Sequence, residues 1–277
     1  MTHTIKLNNG NHIPVPGLGC WQIPLDEAAQ VVYDALHAGF RMFDSAEDYG
    51  NEVQVVEGIA RWIKEDPEHH LRKDVFYTTK IWSAYLGYEE SSKHLKQLLA
   101  KAKPIGYIDL VLIHQPRDDP EKRHGSWQVL QEAVENGSVK NIGVSNYNID
   151  QLKEVLAYPD LKIVPAINQF ELSPFYTREE LFQFNKKNGI VIEAYSPLAR
   201  GRRMNDPDIL RLAKKYGKSP AQIFLRWSVD KGFIPLPKTT HKERFAPNLD
   251  IFDFKLQPEE VELLSSKDQN VSNWQLK

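Results

Sequence analysis

Short apolar segments alternate with amphipathic segments along the chain, and this alternation constrains the fold more than any other feature. Eight apolar runs have the length of a β-strand, and seven of them are separated by helical segments at spacings of roughly 25–40 residues. Most runs are continuously apolar, which is typical of parallel strands that are buried on both faces. The predicted strands are Leu18–Trp21, Phe40–Asp44, Val75–Lys80, Ile108–His114, Asn141–Ser145, Ala166–Phe170, Ile190–Tyr195 and Phe233–Leu236.

Capping residues mark the ends of several predicted helices. The segment Thr177-Arg178-Glu179-Glu180 has the pattern of a capping box that opens a helix. Asp206-Pro207 and Ser219-Pro220 each join an N-cap residue to a proline at the first helical position. Gly217 then predicts the end of the helix that begins at Pro207.

The order of these elements predicts a (β/α)8 barrel, with an open doubly wound sheet as the alternative. Asn9-Gly10 is a strong turn dipeptide between Ile5–Leu7 and Ile13, and predicts a β-hairpin at the bottom of the barrel. The C-terminal segment would supply a substrate loop. No Pro/Gly/Ser-rich linker or sustained charge run divides the chain, so we expect one domain over residues 1–277.

Composition argues against several classes of protein. The net charge of −2 leaves no basic field for nucleic acid or an anionic membrane. No apolar stretch approaches the roughly 20 residues that span a bilayer, and the N-terminus lacks the apolar core of a signal peptide. Cys20 is the only cysteine, which fits a reducing compartment. We therefore expect a cytoplasmic protein, a monomer with a dimer as the alternative.

Polar residues lie at the carboxyl end of almost every predicted strand. They are Asp44 with Tyr49 just beyond it, Lys80, His114, Ser145-Asn146, Gln169, Tyr195-Ser196 and Lys238. In a parallel barrel the carboxyl ends of the strands surround one mouth, where active sites lie. Taken singly, each residue has a structural alternative: a turn cap, a solvent-exposed amine, a packing aromatic or a core histidine. Taken together, the residues predict a site at the mouth.

An aspartate, a lysine, a tyrosine and a histidine are suited to the reduction of a carbonyl group. Hydride delivery to the carbon builds negative charge on the oxygen, which needs a proton donor. Tyrosine has a pKa near ~10, and a nearby Lys80 would stabilise its phenolate and lower that pKa. Asp44 would hold Lys80, and His114 would orient the carbonyl oxygen. We therefore assign the proton to Tyr49.

The segment GFRMFDSAEDYGNE resembles the signature of the aldo-keto reductase family, G-Y-R-x-x-D-T-A-x-x-Y-x-N-E. TKIW, LIHQP, IGVSNY, NQFELSP and LPKTT also resemble family motifs and follow in family order across nearly the whole chain. The chain is most similar to short fungal reductases that act on xylose, arabinose and related carbonyls. This resemblance implies NADPH-dependent reduction of aldehydes or ketones by the catalytic tetrad Asp44, Tyr49, Lys80 and His114.

The resemblance also implies a set of coenzyme contacts. The residues matching those around the nicotinamide are Ser145, Asn146 and Gln169 at the carboxamide and Tyr195, followed by Ser196, at the ring. The residues matching those around the adenosine 2′-phosphate and adenine are Lys238, Thr239, Arg244 and Asn248. Two cations around one phosphate favour NADPH over NADH. Pro247 replaces the family's usual glutamate beside the adenine, so one hydrogen bond would be absent there.

The substrate pocket implied by the resemblance has aromatic walls. Trp21 and Trp82 match pocket-lining tryptophans, and Trp274 could close the pocket from the C-terminal segment, with surface packing as its alternative. Gln115 stands where many members have an aromatic residue, which makes one wall more polar and favours a hydroxylated substrate. Arg200-Gly201-Arg202-Arg203 could contact the pyrophosphate, or could simply be an exposed cationic loop.

Two patterns are set aside, and one alternative function stays open. Gly17-Leu18-Gly19 begins like a dinucleotide-binding motif, but Gln22 occupies the position of its last glycine and no helix follows directly. His69-His70 has no suitable partners in sequence, so we expect no metal site. The family fold also serves as a channel-associated subunit and as a lens structural protein, so a non-catalytic role is the alternative to an enzyme.

Overall fold

The computed structural model describes residues 2–272 and Gln275. An antiparallel hairpin of β1 (His3–Lys6) and β2 (His12–Val15) precedes an eight-stranded parallel sheet. The strands of that sheet are β3 (Leu18–Gly19), β4 (Met42–Asp44), β5 (Phe76–Ile81), β6 (Ile108–Ile113), β7 (Val139–Ser145), β8 (Ile167–Glu171), β9 (Val191–Tyr195) and β10 (Ile234–Leu236). The α-helices are α1 (Leu25–Ala38), α2 (Glu52–Glu65), α3 (Tyr88–Ala102), α4 (Pro120–Glu135), α5 (Ile149–Leu156), α6 (Glu179–Lys187), α7 (Pro207–Tyr216), α8 (Pro220–Asp230), α9 (Phe245–Leu249) and α10 (Pro258–Ser265).

The eight parallel strands follow one another in chain order around a barrel, which confirms the predicted (β/α)8 architecture and excludes the open doubly wound sheet. Between β3 and β10, the backbone N–H of Gly17 donates to Pro235 O at 3.1 Å, and that of Gly19 donates to Pro237 O at 3.0 Å. A Cβ on Gly19 would lie only 3.2 Å from the carbonyl oxygen of Leu236. These two glycines therefore serve the close approach of β3 and β10.

Most of the predicted helix ends are confirmed. The Asp206 side chain accepts from the backbone of Asp208 and Ile209, Ser219 forms a capping box, and Gly217 ends α7 with φ at +66°. The predicted capping box at Thr177 is wrong. Its hydroxyl donates instead to the carboxylate of Asp268 at 2.6 Å, and the N-cap of α6 is Arg178 in a left-handed conformation.

The hairpin covers the bottom of the barrel, as predicted. Ile13 and Leu7 pack with buried strand residues including Met42, Leu110 and Leu112 in one apolar cluster. A second and larger cluster lies between the strands and the surrounding helices. The first of these clusters closes the hairpin end of the barrel, and the site residues described below lie at the opposite mouth. In residues 2–272, no helix is long and apolar enough to cross a membrane.

Candidate active site

The predicted site residues lie where the carboxyl ends of the strands meet. Asp44 and Ser145 end β4 and β7, and His114 directly follows β6. Lys80 lies inside β5, because this strand extends one residue past its predicted end, and Gln169 lies in the middle of β8. The structure thus brings residues that are up to 125 positions apart in sequence into hydrogen-bonding contact, as between Asp44 and Gln169.

The Lys80 ammonium is held from several sides in a fully buried position. Its Nζ donates to both carboxylate oxygens of Asp44 at 2.7 and 2.9 Å and to the carbonyl of Ser45 at 2.8 Å. It also donates to the hydroxyl of Tyr49 at 3.1 Å. Burial by itself lowers the pKa of Lys80, but Asp44 and Tyr49 outweigh it and raise the pKa above its usual value. The lysine therefore stays charged, and the solvent-exposed alternative is excluded.

Tyr49 is carried by a short 3-10 turn, Glu47–Tyr49, directly after β4. The turn ends at Gly50, whose φ of +72° is a conformation that glycine adopts readily. The fully buried Asn51 ties the segment to the barrel: it accepts from Ser45 Oγ and donates to Cys20 O, both at 2.8 Å. These bonds fix the turn and hence the position of the Tyr49 ring.

The pKa of Tyr49 differs from the expected direction. Burial is the largest influence and raises this pKa to about 12, while the nearby Lys80 pulls it downward without reversing the shift. The expectation that Lys80 lowers the pKa of Tyr49 below its usual value is therefore wrong, because burial outweighs the charge of Lys80. A raised pKa keeps the phenol protonated at neutral pH, which is the form that can donate a proton.

His114 faces the Tyr49 ring edge-on, with ring centroids 5.7 Å apart, and makes a similar contact with Trp82 at 5.1 Å. Its Nδ1 is buried, and no described residue forms a hydrogen bond with it. Burial, followed by the charge of Lys80, lowers the pKa of His114 to about 3. The imidazole is therefore neutral throughout the physiological pH range.

This shift predicts a pH-dependent loss of stability. An unfolded histidine has a pKa near ~6.5, so between that value and about 3 the unfolded state binds a proton that folded His114 does not. Stability is therefore lost as the pH falls through this window. Relative to His114→Asn, the wild-type protein should lose about 2 kcal/mol more between pH 7 and pH 5 in urea unfolding. Equal losses in the two proteins would contradict the lowered pKa.

The residues predicted at the nicotinamide form one connected network. Ser145 Oγ donates to Gln169 O at 2.9 Å, and Tyr195 Oη donates to Asn146 Oδ1 at 2.9 Å. Asn146 Nδ2 donates in turn to His114 O at 3.1 Å, and Asn146 adopts a positive φ of +62°. Ser196 follows with a φ of +50°. The network joins the ends of β6, β7, β8 and β9, so a ring bound there would lie beside His114.

The residues predicted around the 2′-phosphate follow β10. Lys238 and Arg244 are exposed, and within the described part of the chain neither forms an ion pair or a side-chain hydrogen bond. Thr239 and Asn248 are 4% and 5% exposed. The Thr239 hydroxyl accepts from the backbone N–H of His241 at 3.1 Å. Two unpaired cations in the segment that carries this hydroxyl suit a phosphate group.

The predicted pocket residues are partly buried. Trp82 packs against His114, and Trp21 lies under the Arg200 guanidinium at 5.6 Å. Gln115 is also partly buried. Arg203, in the loop predicted to contact the pyrophosphate, donates to Gln269 at 2.7 Å. Trp274, predicted to close the pocket, lies outside the described residues.

Glu193, not predicted from the sequence, belongs to the same network. It lies in the middle of β9, is 0% exposed, and accepts from Gln169 Nε2 at 2.5 Å. Burial, followed by the charge of Asp44, raises the pKa of Glu193. A charged residue within the otherwise apolar run of a buried parallel strand was the signal in the sequence.

Glu47 is a second residue near the site that was not predicted from the sequence. It links the Tyr49 turn to the pocket: its carboxylate accepts from the backbone N–H of Trp82 at 3.2 Å and pairs with His94 Nδ1 at 2.6 Å.

The histidine pair His69 and His70 forms ordinary contacts: His69 pairs with Asp66, and His70 bonds to the carbonyl of Trp62. Among the residues that the structure describes, no group of three or more metal-ligating side chains is placed to hold a metal ion.

Comparison with known proteins gives a consistent result. Residues 15–269 match the sequence profile described as the Aldo/keto reductase family. An uncharacterized oxidoreductase of Saccharomyces cerevisiae is 42% identical over 95% of this chain and 93% of its own length. The glyoxal reductase of Bacillus subtilis is 36% identical over 97% of this chain and 94% of its own.

The solved structures agree with the sequence relatives. A crystal structure of a Bombyx mori aldo-keto reductase in complex with NADP is 37% identical and superimposes with a TM-score of 0.91. The match covers 99% of this chain and 95% of that one. Together these matches identify an oxidoreductase of the aldo/keto reductase type. The chain belongs to the aldo/keto reductase family.

Proposed function

We propose that this chain reduces aldehydes and ketones to alcohols with NADPH, and that one barrel domain over residues 1–277 carries the activity. The proposal rests chiefly on one observation, the 3.1 Å hydrogen bond between the Tyr49 hydroxyl and a buried Lys80 that Asp44 holds in place. A tyrosine that only packs against its neighbours does not require a buried ammonium at its hydroxyl. A lysine with only a structural role does not require a hydrogen bond to a phenol.

Tyr49 is proposed as the proton donor. An ammonium has only donors, so the Tyr49 oxygen accepts from Lys80 and the phenol proton stays free to be donated outward. NADPH, when bound, supplies the hydride that goes to the carbonyl carbon. The positive charge of Lys80 stabilises the phenolate that remains after proton donation. Asp44 and Ser45 O keep Lys80 in place throughout.

His114 is proposed to orient the substrate carbonyl. A neutral imidazole carries one N–H, and the Nδ1 side has no partner among the described residues. We therefore place the proton on Nε2, which lets it donate to a carbonyl oxygen beside Tyr49. Both donors would then reach the oxygen on which negative charge develops.

The preference for NADPH is proposed to come from the segment after β10. Lys238 and Arg244 offer unpaired cations in the same segment as the Thr239 hydroxyl, and only the phosphorylated coenzyme carries the 2′-phosphate that would bind them. We place the adenine beside Asn248 and the nicotinamide at the network of Ser145, Asn146, Gln169, Tyr195 and Ser196. The NADP complex of the Bombyx mori relative supports this choice of coenzyme.

We propose a pocket lined by Trp21, Trp82 and Gln115, which suits small carbonyl compounds that carry a hydroxyl or a second oxygen. Aromatic walls accommodate carbon chains of many shapes, and the amide of Gln115 can hydrogen-bond an oxygen substituent. The name of the Bacillus subtilis relative, glyoxal reductase, describes a compact dicarbonyl substrate and fits this class.

The substrate experiment measures NADPH and NADH oxidation with glyceraldehyde, propanal, xylose, an α-keto ester and a diketone. We expect NADPH oxidation with the aldehydes, and a higher kcat/KM for glyceraldehyde than for propanal. Gln115→Leu is the matched variant. Because it removes one hydrogen bond to the substrate, it should lower the ratio of kcat/KM for glyceraldehyde to that for propanal about fivefold. If none of these carbonyls oxidises NADPH, the proposed activity is wrong; an unchanged ratio in the variant would exclude the role of Gln115.

A further inference from the structure

The Gln169 amide stands between two carboxyl groups inside the barrel. Its Nε2 donates to Asp44 Oδ1 at 2.8 Å and to Glu193 Oε2 at 2.5 Å, so each of its two N–H groups has its own acceptor. The Asp44 carboxylate is also fixed by Lys80. Both partners of the amide nitrogen therefore belong to the rigid interior of the barrel.

This arrangement decides which end of the amide faces outward. If the amide were flipped, its carbonyl oxygen would meet the oxygen of Asp44, which is a repulsive contact between two acceptors. It would also leave the buried acceptor oxygens of Asp44 and Glu193 without this donor, which is costly. With the observed orientation, Oε1 of Gln169 is left over, and no described residue donates to it. This oxygen is thus a free acceptor.

A free acceptor at this place matches one feature of the nicotinamide ring. The coenzyme's carboxamide has an NH₂ group that donates hydrogen bonds, and the proposed function places this group at Gln169. We propose that Glu193 is a positioning residue that, together with Asp44, holds the Gln169 amide with its oxygen toward the coenzyme and so selects for a carboxamide on the ring. This inference rests on the proposed function.

The surroundings of Glu193 suit this task. It is fully buried, and its other oxygen, Oε1, has no partner among the described residues. Burial and the nearby Asp44 raise its pKa and favour the neutral acid, which can accept through its carbonyl oxygen without adding a second negative charge beside Asp44. A purely structural position in β9 would be filled at lower cost by an apolar residue.

The test compares two coenzymes that differ only at the carboxamide. NADP⁺ carries the amide, whereas 3-acetylpyridine adenine dinucleotide phosphate carries an acetyl group with no N–H donor. Affinities are measured by quenching of tryptophan fluorescence in the wild-type protein, Glu193→Met and Glu193→Gln. The methionine removes the acceptor at similar volume, and the glutamine keeps an acceptor oxygen.

We expect the wild-type protein to bind NADP⁺ about fivefold more tightly than the acetyl analogue, which is the effect of one hydrogen bond. Glu193→Met should lower this ratio, because only Asp44 then orients the amide, and Glu193→Gln should restore most of it. If Glu193→Met fails to fold, Glu193→Val is the second variant, because valine is well suited to a buried strand.

Two results would overturn the inference. One is a wild-type ratio that persists in Glu193→Met, and the other is an equal loss of affinity for both coenzymes, as expected of a merely structural residue. Failure of the wild-type protein to bind either coenzyme would instead contradict the proposed function, and the inference with it. If the wild-type protein binds and turns over NADPH, but the Glu193 variants keep the wild-type ratio of the two affinities, the role of Glu193 is wrong and the proposed function still stands.

Discussion

Replacement of Tyr49 by phenylalanine is expected to lower kcat for carbonyl reduction by about 10²–10⁴-fold, the usual contribution of a general acid. The variant removes one hydroxyl and keeps the ring, so its contact with His114 at 5.7 Å can be retained. The affinity for NADPH should stay within about twofold, because the proposed coenzyme contacts come from other strands. A loss confined to kcat is the signature of an interaction made only in the transition state.

Stopped-flow or steady-state NADPH oxidation, combined with fluorescence titration of NADPH, measures both quantities. Tyr107→Phe is the matched control, because Tyr107 directly precedes β6 at the opposite end of the barrel. This control should keep wild-type activity. A Tyr49→Phe protein that retains most of its turnover would show that another group donates the proton.

Removal of the cations after β10 is expected to abolish most of the preference for NADPH. Lys238→Ala and Arg244→Ala should each raise the Kd for NADPH about tenfold or more, since each removes a hydrogen bond to a charged group. The Kd for NADH should hardly change, because NADH has no 2′-phosphate. Higher salt should weaken NADPH binding in the wild-type protein and have a smaller effect in the variants.

Lys242→Ala is the control for this experiment. Lys242 belongs to the same segment, but its ammonium is already paired with Asp34 at 2.7 Å. Its removal should leave the ratio of the two affinities unchanged. If Lys238→Ala and Arg244→Ala weakened NADH and NADPH equally, these cations would not recognise the 2′-phosphate.

Much of the fold and the arrangement of the site followed from local patterns. Buried parallel strands appear as short apolar runs, and a polar residue at the end of such a run stands out, as with Asp44 and His114. Because parallel strands align their carboxyl ends, the topology brings these residues together without any knowledge of the loops. This is why Lys80 could be paired with Tyr49 across 31 positions of sequence.

The properties that depend on tertiary surroundings were not predictable in the same way. The pKa of Tyr49 is raised because burial outweighs Lys80, and the degree of burial cannot be derived from sequence spacing. Thr177 has the pattern of a helix cap, but its hydroxyl donates a hydrogen bond to Asp268, which is 91 positions away in sequence. Glu193 interrupts an apolar strand, yet only the structure shows that it reaches Gln169.

In the proposed reaction this site transfers a hydride from NADPH to a carbonyl carbon while Tyr49 supplies the proton. The most direct measurement uses NADPH that carries deuterium at both C4 positions of its dihydronicotinamide ring, with glyceraldehyde as substrate in ordinary water. Mass spectrometry and NMR of the product should show one deuterium on the former carbonyl carbon and none on the hydroxyl, at a rate that falls with Tyr49→Phe. An alcohol without deuterium on that carbon, or NADPH consumption without alcohol, would contradict the account.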